Sequence, residues 1–168
     1  MAFANSTDRE QRDRLAERVS AASYGTVLII AALLVVEEDD VASGWGWELV
    51  VGVGAATWLA HLYAEVLGNH VRRVDATEPH EVRKAMVDGL PILLAAVFPA
   101  VALGLGRLEV LPPRQALWIA VIVSIVQLVA IGALVGAVSE QRSASWRYAA
   151  AAAAFGLGVV LLLVGLGH

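Results

Sequence analysis

Residues 58–65 read WLAHLYAE and place His61 and Glu65 inside an apolar stretch that is long enough to cross a membrane. On a helix, four polar residues of this region recur at every fourth position and share one stripe: Thr57, His61, Glu65 and Asn69. An ionisable group within a membrane span usually faces a protein interior, a cavity or an ion path. The stripe is therefore the candidate functional site.

The composition indicates an all-α, polytopic membrane protein. Of the 168 residues, 58% are hydrophobic and 17% are charged, which is too apolar for a soluble domain of this length. Five stretches approach the roughly 20 mostly apolar residues of a bilayer span, and they cover residues 20–36, 46–68, 86–106, 116–138 and 148–167. The chain is thus predicted to comprise an N-terminal segment, 1–19, and a five-helix transmembrane domain, 20–168.

Several function classes are excluded by what the sequence lacks. There is no cysteine, so disulfides, thiolate metal sites and cysteine nucleophiles are ruled out. The net charge is −4 without a basic run, which does not favour nucleic-acid binding. No serine has a histidine base at a recognisable spacing, and only His61 and Glu65 lie well inside a span, too few for a di-iron bundle. We expect no enzymatic activity, no permanently bound cofactor and no nucleic-acid partner.

The basic residues predict the orientation. Of 12 lysines and arginines, four precede or begin the first span, four lie between the second and third spans, and two lie between the fourth and fifth. Only Arg107 and Arg114 fall on the opposite side. By the positive-inside rule the N-terminus is cytoplasmic, and five spans place the C-terminus outside. We expect an integral protein of a bacterial-type plasma membrane.

Other polar residues would extend a path from the stripe. Asp88 lies at the predicted cytoplasmic end of the third span, Gln127 lies near the middle of the fourth, and Tyr24 lies in the first. Pro91 and Pro99 predict a kinked third helix with freed carbonyls for a neighbouring helix or an ion. Packing alone would explain such kinks equally well, and an interhelical hydrogen bond is the commoner role of a buried glutamine.

Two connections also carry charge. Residues 37–40 read EEDD and are predicted to form an exposed outer loop; the alternative is a cluster that gathers cations near an ion path. Trp45 and Trp47, which follow, mark the outer membrane interface. Residues 69–85 are predicted to form a solvated cytoplasmic loop, whose histidines and carboxylates match no closed metal site.

Three of the predicted spans contain residues whose type and spacing resemble those of a known family. Ala64-Glu65 closes the second span, Pro99 lies in the third, and IGALVGAVS closes the fourth over residues 131–139. In residues and spacing, these features and the lead into the fifth span over residues 143–154 resemble the vacuolar iron transporter family. The resemblance implies a five-helix membrane fold, a cytoplasmic N-terminus, a homodimer and the passage of divalent metal ions.

The chain departs from that family at two places. The family's first helix carries an Asp-Gly motif whose aspartate takes part in ion passage, whereas the equivalent stretch here, residues 24–27, reads YGTV. The family's cytoplasmic metal-binding insertion is also missing, because the connection between the second and third spans is short. These departures imply an altered selectivity or mechanism, or the loss of transport.

Two functions remain open. In the first, the protein is a small dimeric transporter or channel in which His61 and Glu65 bind iron(II), manganese or zinc, and Tyr24, Asp88 or Gln127 completes the path. Proton coupling would use the same histidine, whose ordinary pKa lies near neutrality. In the second, the protein is a membrane scaffold or partner-binding subunit in which the same polar groups form a buried hydrogen-bonded network.

Overall fold

The computed structural model describes residues 2–72, 79–138 and six positions near the C-terminus, 150, 151, 154, 158, 161 and 165. The helices are α1 (Ala2–Leu33), α2 (Glu38–Ser43), α3 (Trp45–Arg72), α4 (Pro79–Asp88), α5 (Leu90–Arg107) and α6 (Pro113–Val138). The six C-terminal positions are also helical, and no strand occurs among the described residues. The prediction of an all-α fold is confirmed for this part of the chain.

Four stretches of helix are long and apolar enough to cross a membrane: Leu15–Leu33, Trp45–Gly68, Val82–Arg107 and Pro113–Val135. They overlap the first four predicted spans, and the second and fourth start within a few residues of the predicted positions. The fifth predicted span, 148–167, lies outside the described residues except for the six helical positions. The number of five spans and the sidedness of both termini therefore stay predictions.

Helix α1 crosses the predicted boundary between the segment 1–19 and the first span without interruption. The polar residues that precede the span have acids and bases at helical spacings, which favour a continuous helix. The apolar part begins at Leu15, earlier than residue 20, so that Arg18 lies within the first candidate span. A basic side chain is thereby brought alongside the other helices.

The third span is broken at Gly89, between α4 and α5. Pro91 occupies the first turn of α5, where a missing N–H removes no bond from that helix. Because proline has no N–H, Pro91 cannot donate the usual helical hydrogen bond to the carbonyl of Val87. The next N–H, that of Ile92, donates to the carbonyl of Gly89 at 3.0 Å. Because α5 continues through Pro99, the main discontinuity lies near the start of the predicted span and not in its middle.

The predicted acidic loop is wrong over residues 38–40, which form the first turn of α2. The N–H of Glu37 donates to Oδ2 of Asp40 at 2.9 Å, as part of a capping box that satisfies the start of the helix. Acidic side chains in a first turn also interact favourably with the helix dipole. Gly44 ends α2 at a φ of 91°, a left-handed conformation that glycine adopts without strain.

The predicted solvated loop 69–85 is also mostly helical where it is described. Residues 69–72 extend α3, residues 79–85 belong to α4, and 73–78 lie outside the described residues. No glycine or proline interrupts residues 69–72, so the helix has no local reason to end at the apolar boundary. Pro79 begins α4, a position that its fixed φ favours.

Helix α5 is the centre of the described bundle, because it packs against α1, α3 and α6. The shared core contains fully buried aliphatic side chains, among them Ile29, Leu33, Val50 and Leu103. Small residues bring the helices close together: a Cβ at Gly54 would lie only 2.8 Å from the Cβ of Ala96. Helices α3 and α5 are thus closely packed at this point.

The contacts at the two ends of α5 show that it runs parallel to the membrane-length part of α1 and antiparallel to α3. Near its start, Asp88 pairs with Arg18 of α1, and near its end Arg107 pairs with Glu48 at the start of α3 at 3.7 Å. Arg114, at the start of α6, pairs with Glu38 at 3.6 Å. The last two pairs lie together at the α2 end of the bundle and have exposed side chains, which limits what each contributes to stability.

Candidate functional site

His61 and Glu65 form the contact that their spacing predicts. The Nε2 atom of His61 lies 3.7 Å from Oε2 of Glu65 on the same face of α3. The side chains are 36% and 27% exposed, whereas Thr57, one turn earlier, is buried. The polar stripe therefore leaves the packed interior between Thr57 and His61, and the two groups of metal-ligand type remain accessible at the surface of the chain.

This part of α3 packs against the break in the third span. A Cβ at Gly89 would lie 3.0 Å from Cδ1 of Trp58 and 3.2 Å from Cδ2 of His61, so glycine at this position permits both rings to approach the backbone. The indole N–H of Trp58 donates to the carbonyl of Met86 at 3.3 Å. Together these contacts fix His61 beside the junction of α4 and α5.

We predict that Trp58→Phe lowers stability by about 1 kcal/mol, the typical net value of one hydrogen bond. The change keeps an aromatic ring against Gly89 but removes the N–H that the Met86 carbonyl accepts. Thermal unfolding in detergent, followed by circular dichroism, measures the effect. Trp47→Phe on the same helix is the matched control, because the Trp47 indole makes no hydrogen bond to a described residue; equal losses in both variants would contradict the assigned role.

Asp88 lies at the same break but on the side of α1. Its Oδ1 accepts from Nε and Nη2 of Arg18, at 3.4 Å and 3.3 Å. The Asp88 side chain is 9% exposed and that of Arg18 is 50% exposed. The second oxygen of Asp88, Oδ2, is buried and has no hydrogen-bond partner among the described residues. A buried carboxylate is thus held by one half-exposed cation through a single oxygen.

The remaining predicted path residues differ in their surroundings in the described chain. Tyr24 is 58% exposed on α1, and Asn69 belongs to α3 but its side chain lies outside the described residues. Gln127 of α6 buries an Oε1 atom without a hydrogen-bond partner in the described chain. The structure therefore brings His61 and Glu65 together and places Asp88 at the neighbouring break.

Other polar side chains within the spans are satisfied by their own helices. The hydroxyl of Thr26 donates to the carbonyl of Ala22 at 2.8 Å, and that of Ser124 donates to the carbonyl of Ala120 at 2.8 Å. Such bonds to the preceding turn let a hydroxyl enter an apolar environment without an outside partner. Neither hydroxyl therefore needs a hydrogen-bond acceptor on another helix.

The capacity of one chain to hold a metal ion is limited. Among the residues whose side chains are described, no three histidine, cysteine or acidic side chains are grouped closely enough to bind one ion. The imidazole and carboxylate of His61 and Glu65 are suitable ligands for iron(II), manganese or zinc, but they provide two ligands where a closed site uses about four. Further ligands would have to come from a second copy, from water or from residues beyond the described ones.

Sequence reasoning missed Arg18 and Trp58 as parts of this region. Arg18 was assigned only to the orienting charge of the N-terminal segment, and Trp58 only to an apolar span. A signal for the ion pair did exist, because the first and third spans of such a chain run parallel and bring a base and an acid near their starts to similar depth. The indole contact has no such signal, since it depends on where the third span breaks.

Comparisons of the chain with protein-family models, with curated proteins and with solved structures find no match.

Proposed function

We propose that the protein passes divalent transition-metal cations across a membrane and that His61 and Glu65 are the groups that bind the cation. Iron(II) and manganese are the cations that we propose first, and proton exchange at His61 would couple the movement to a pH gradient. The protein would act as a homodimer in a bacterial-type plasma membrane. These proposals agree with the resemblance of the second, third and fourth spans to the vacuolar iron transporter family.

The observation that carries the proposal is an accessible imidazole–carboxylate pair within an apolar candidate span. An ionisable pair in such a helix is costly to insert and is commonly kept for an ion path. His61 and Glu65 remain about one third exposed, although Thr57 on the same stripe is buried. The pair also lies beside a broken helix, an arrangement that is tolerated at membrane depth where it is packed in protein or lines a cavity.

A second copy of the chain would supply the missing ligands most simply. Two equivalent pairs facing each other across a two-fold axis provide four ligands, two imidazoles and two carboxylates, from one accessible stripe. This number matches the coordination that transition metals commonly take in proteins. The partial exposure of both side chains in a single chain is what such an arrangement requires.

Uptake of divalent metal into proteoliposomes tests the proposal directly. Purified protein is reconstituted, and the entry of iron(II), manganese, zinc and cobalt is followed with and without a pH gradient, with protein-free liposomes as the control. We expect saturable entry of at least one cation. Absence of saturable uptake by folded, reconstituted protein, in both gradient directions, would overturn the proposal.

A second candidate function is a non-transporting membrane scaffold or partner-binding subunit with the same fold. The observation that favours it is the pairing of Asp88 with Arg18, which engages one of the residues that a continuous cation path would use. A scaffold predicts no metal uptake. It also predicts that His61→Ala lowers the unfolding temperature, because the Glu65 carboxylate loses its nearest polar partner.

A further inference from the structure

We propose that Asp88 is a second cation-binding site and that the guanidinium of Arg18 occupies it as a tethered, displaceable cation. The proposal rests on the proposed function, because a mobile cation would arrive at Asp88 past the His61–Glu65 pair. The ligand class is a divalent cation that accepts oxygen ligands, for which Mn²⁺ is the probe. Arg18 and the mobile cation are then competitors for one carboxylate.

The geometry of the ion pair favours displacement of the arginine. Both guanidinium nitrogens approach the same oxygen of Asp88, at 3.3 Å and 3.4 Å, instead of forming the stronger two-oxygen fork at shorter distances. The Arg18 side chain is half exposed, so its head can move to a polar membrane boundary while its stem stays on the helix. Asp88 is 9% exposed and sits at a helix junction, so the carboxylate stays in place when the arginine leaves.

The second oxygen of Asp88 points to a cation as the missing partner. Oδ2 is buried and has no hydrogen-bond partner among the described residues, a condition that is costly for a carboxylate. The neighbouring carbonyl of Val87 cannot receive the usual helical bond, because Pro91 has no N–H. Carboxylate and carbonyl oxygens are the ligands that hard divalent cations take, and interrupted membrane helices bind ions with such groups.

The site is adjacent to the accessible pair on α3. Gly89 directly follows Asp88, and a Cβ at Gly89 would lie 3.2 Å from Cδ2 of His61. The backbone that His61 approaches is thus one residue from the proposed site. While Arg18 is paired with Asp88, its positive charge repels a divalent cation from that carboxylate. When the arginine leaves, the repulsion ends and the carboxylate is free to bind the cation.

Mn²⁺ binding to the purified full-length protein in detergent tests this competition. Equilibrium dialysis gives the number of ions bound per chain. We expect Arg18→Gln to bind one Mn²⁺ more per chain than the unaltered protein, and the double variant Arg18→Gln/Asp88→Asn to lose that extra ion. Arg18→Lys keeps a positive charge and is expected to bind the same number of ions as the unaltered protein. An unchanged number in folded Arg18→Gln would overturn the proposal.

Failure of this inference is distinguishable from failure of the proposed function. Glu65→Gln should remove the ion that the unaltered protein binds and leave the extra ion of Arg18→Gln in place. If the unaltered protein binds no Mn²⁺, the proposed function loses its support, while an extra ion that depends on Asp88 still supports the second site.

A second comparison covers the case in which Arg18→Gln does not fold. The unaltered protein is then compared with Asp88→Asn at Mn²⁺ concentrations high enough to displace Arg18. A weak binding phase that only the unaltered protein shows supports the inference, and identical curves for the two proteins overturn it.

Discussion

Glu65→Gln is expected to lower metal uptake by about 100-fold or more, since even residues that only support metal ligands typically cost 10- to 100-fold. Glutamine keeps the size and the polar carbonyl oxygen of the side chain but removes the negative charge. In the described chain Glu65 is the carboxylate that contacts His61, at 3.7 Å. Its neutralisation leaves imidazole as the one remaining ligand of the pair, so both affinity for the cation and compensation of its charge are lost.

Glu48→Gln is the matched control for this change. Glu48 is also a glutamate of α3, but it lies at the opposite end, is 61% exposed and pairs with Arg107. Its neutralisation is expected to leave uptake unchanged, which separates loss of a ligand from loss of negative charge in general. Measurement is by initial rate of Mn²⁺ entry into proteoliposomes at equal protein content. Full uptake by folded Glu65→Gln would show that the cation does not bind at this pair.

The features that sequence predicted well are those set by local periodicity. The apolar runs over residues 46–68 and 116–138 gave helices close to the observed Trp45–Gly68 and Pro113–Val135, because about 20 apolar residues are needed for one crossing. The contact between His61 and Glu65 follows from their four-residue spacing alone. Neither result depends on how the helices pack against each other.

The features that the sequence analysis missed concern where one helix ends and the next begins. Pro91 was read as a kink within a span, whereas it occupies the first turn of α5 and the break falls at Gly89. Residues 38–40 were read as a loop because they are acidic, yet a capping box with Glu37 turns the same charges into the first turn of α2. In each case a helix begins at residues that composition alone assigned to a kink or a loop.

The candidate site also combines contacts set by local spacing with contacts set by helix packing. The relative positions of Thr57, His61 and Glu65 follow from their spacing on one helix. The position of Asp88 relative to them depends on how α3 and α1 pack around the break. The pair between Arg18 and Asp88 joins residues 70 positions apart in sequence. Such a contact is a property of the whole bundle, and a single sequence offers only the weak signal of matched depth.

The close packing that creates this arrangement predicts a large effect at Gly106. A Cβ at this position would lie 2.6 Å from Cγ1 of Val41 and 2.7 Å from the Cβ of Ala116. Both neighbours are almost fully buried, and the Cβ of alanine cannot rotate away. Gly106→Ala therefore requires α2 or α6 to move away from α5, and overpacking of this kind costs about 1–3 kcal/mol.

Gly104→Ala provides the matched control two positions earlier on α5. Its Cβ would meet Cδ1 of Trp47 at 3.5 Å and Nε1 at 3.6 Å, which are ordinary contact distances. In a helix, alanine is more favourable than glycine by roughly 1 kcal/mol, and both variants gain this stability. The difference in stability between the two variants therefore isolates the steric cost at Gly106. We expect Gly106→Ala to unfold at a lower temperature than the unaltered protein and Gly104→Ala to unfold at the same temperature or a higher one. Equal unfolding temperatures for the two variants would mean that α2 and α6 yield easily at this end, and α5 would then not be the rigid centre that holds the break at Gly89 in place.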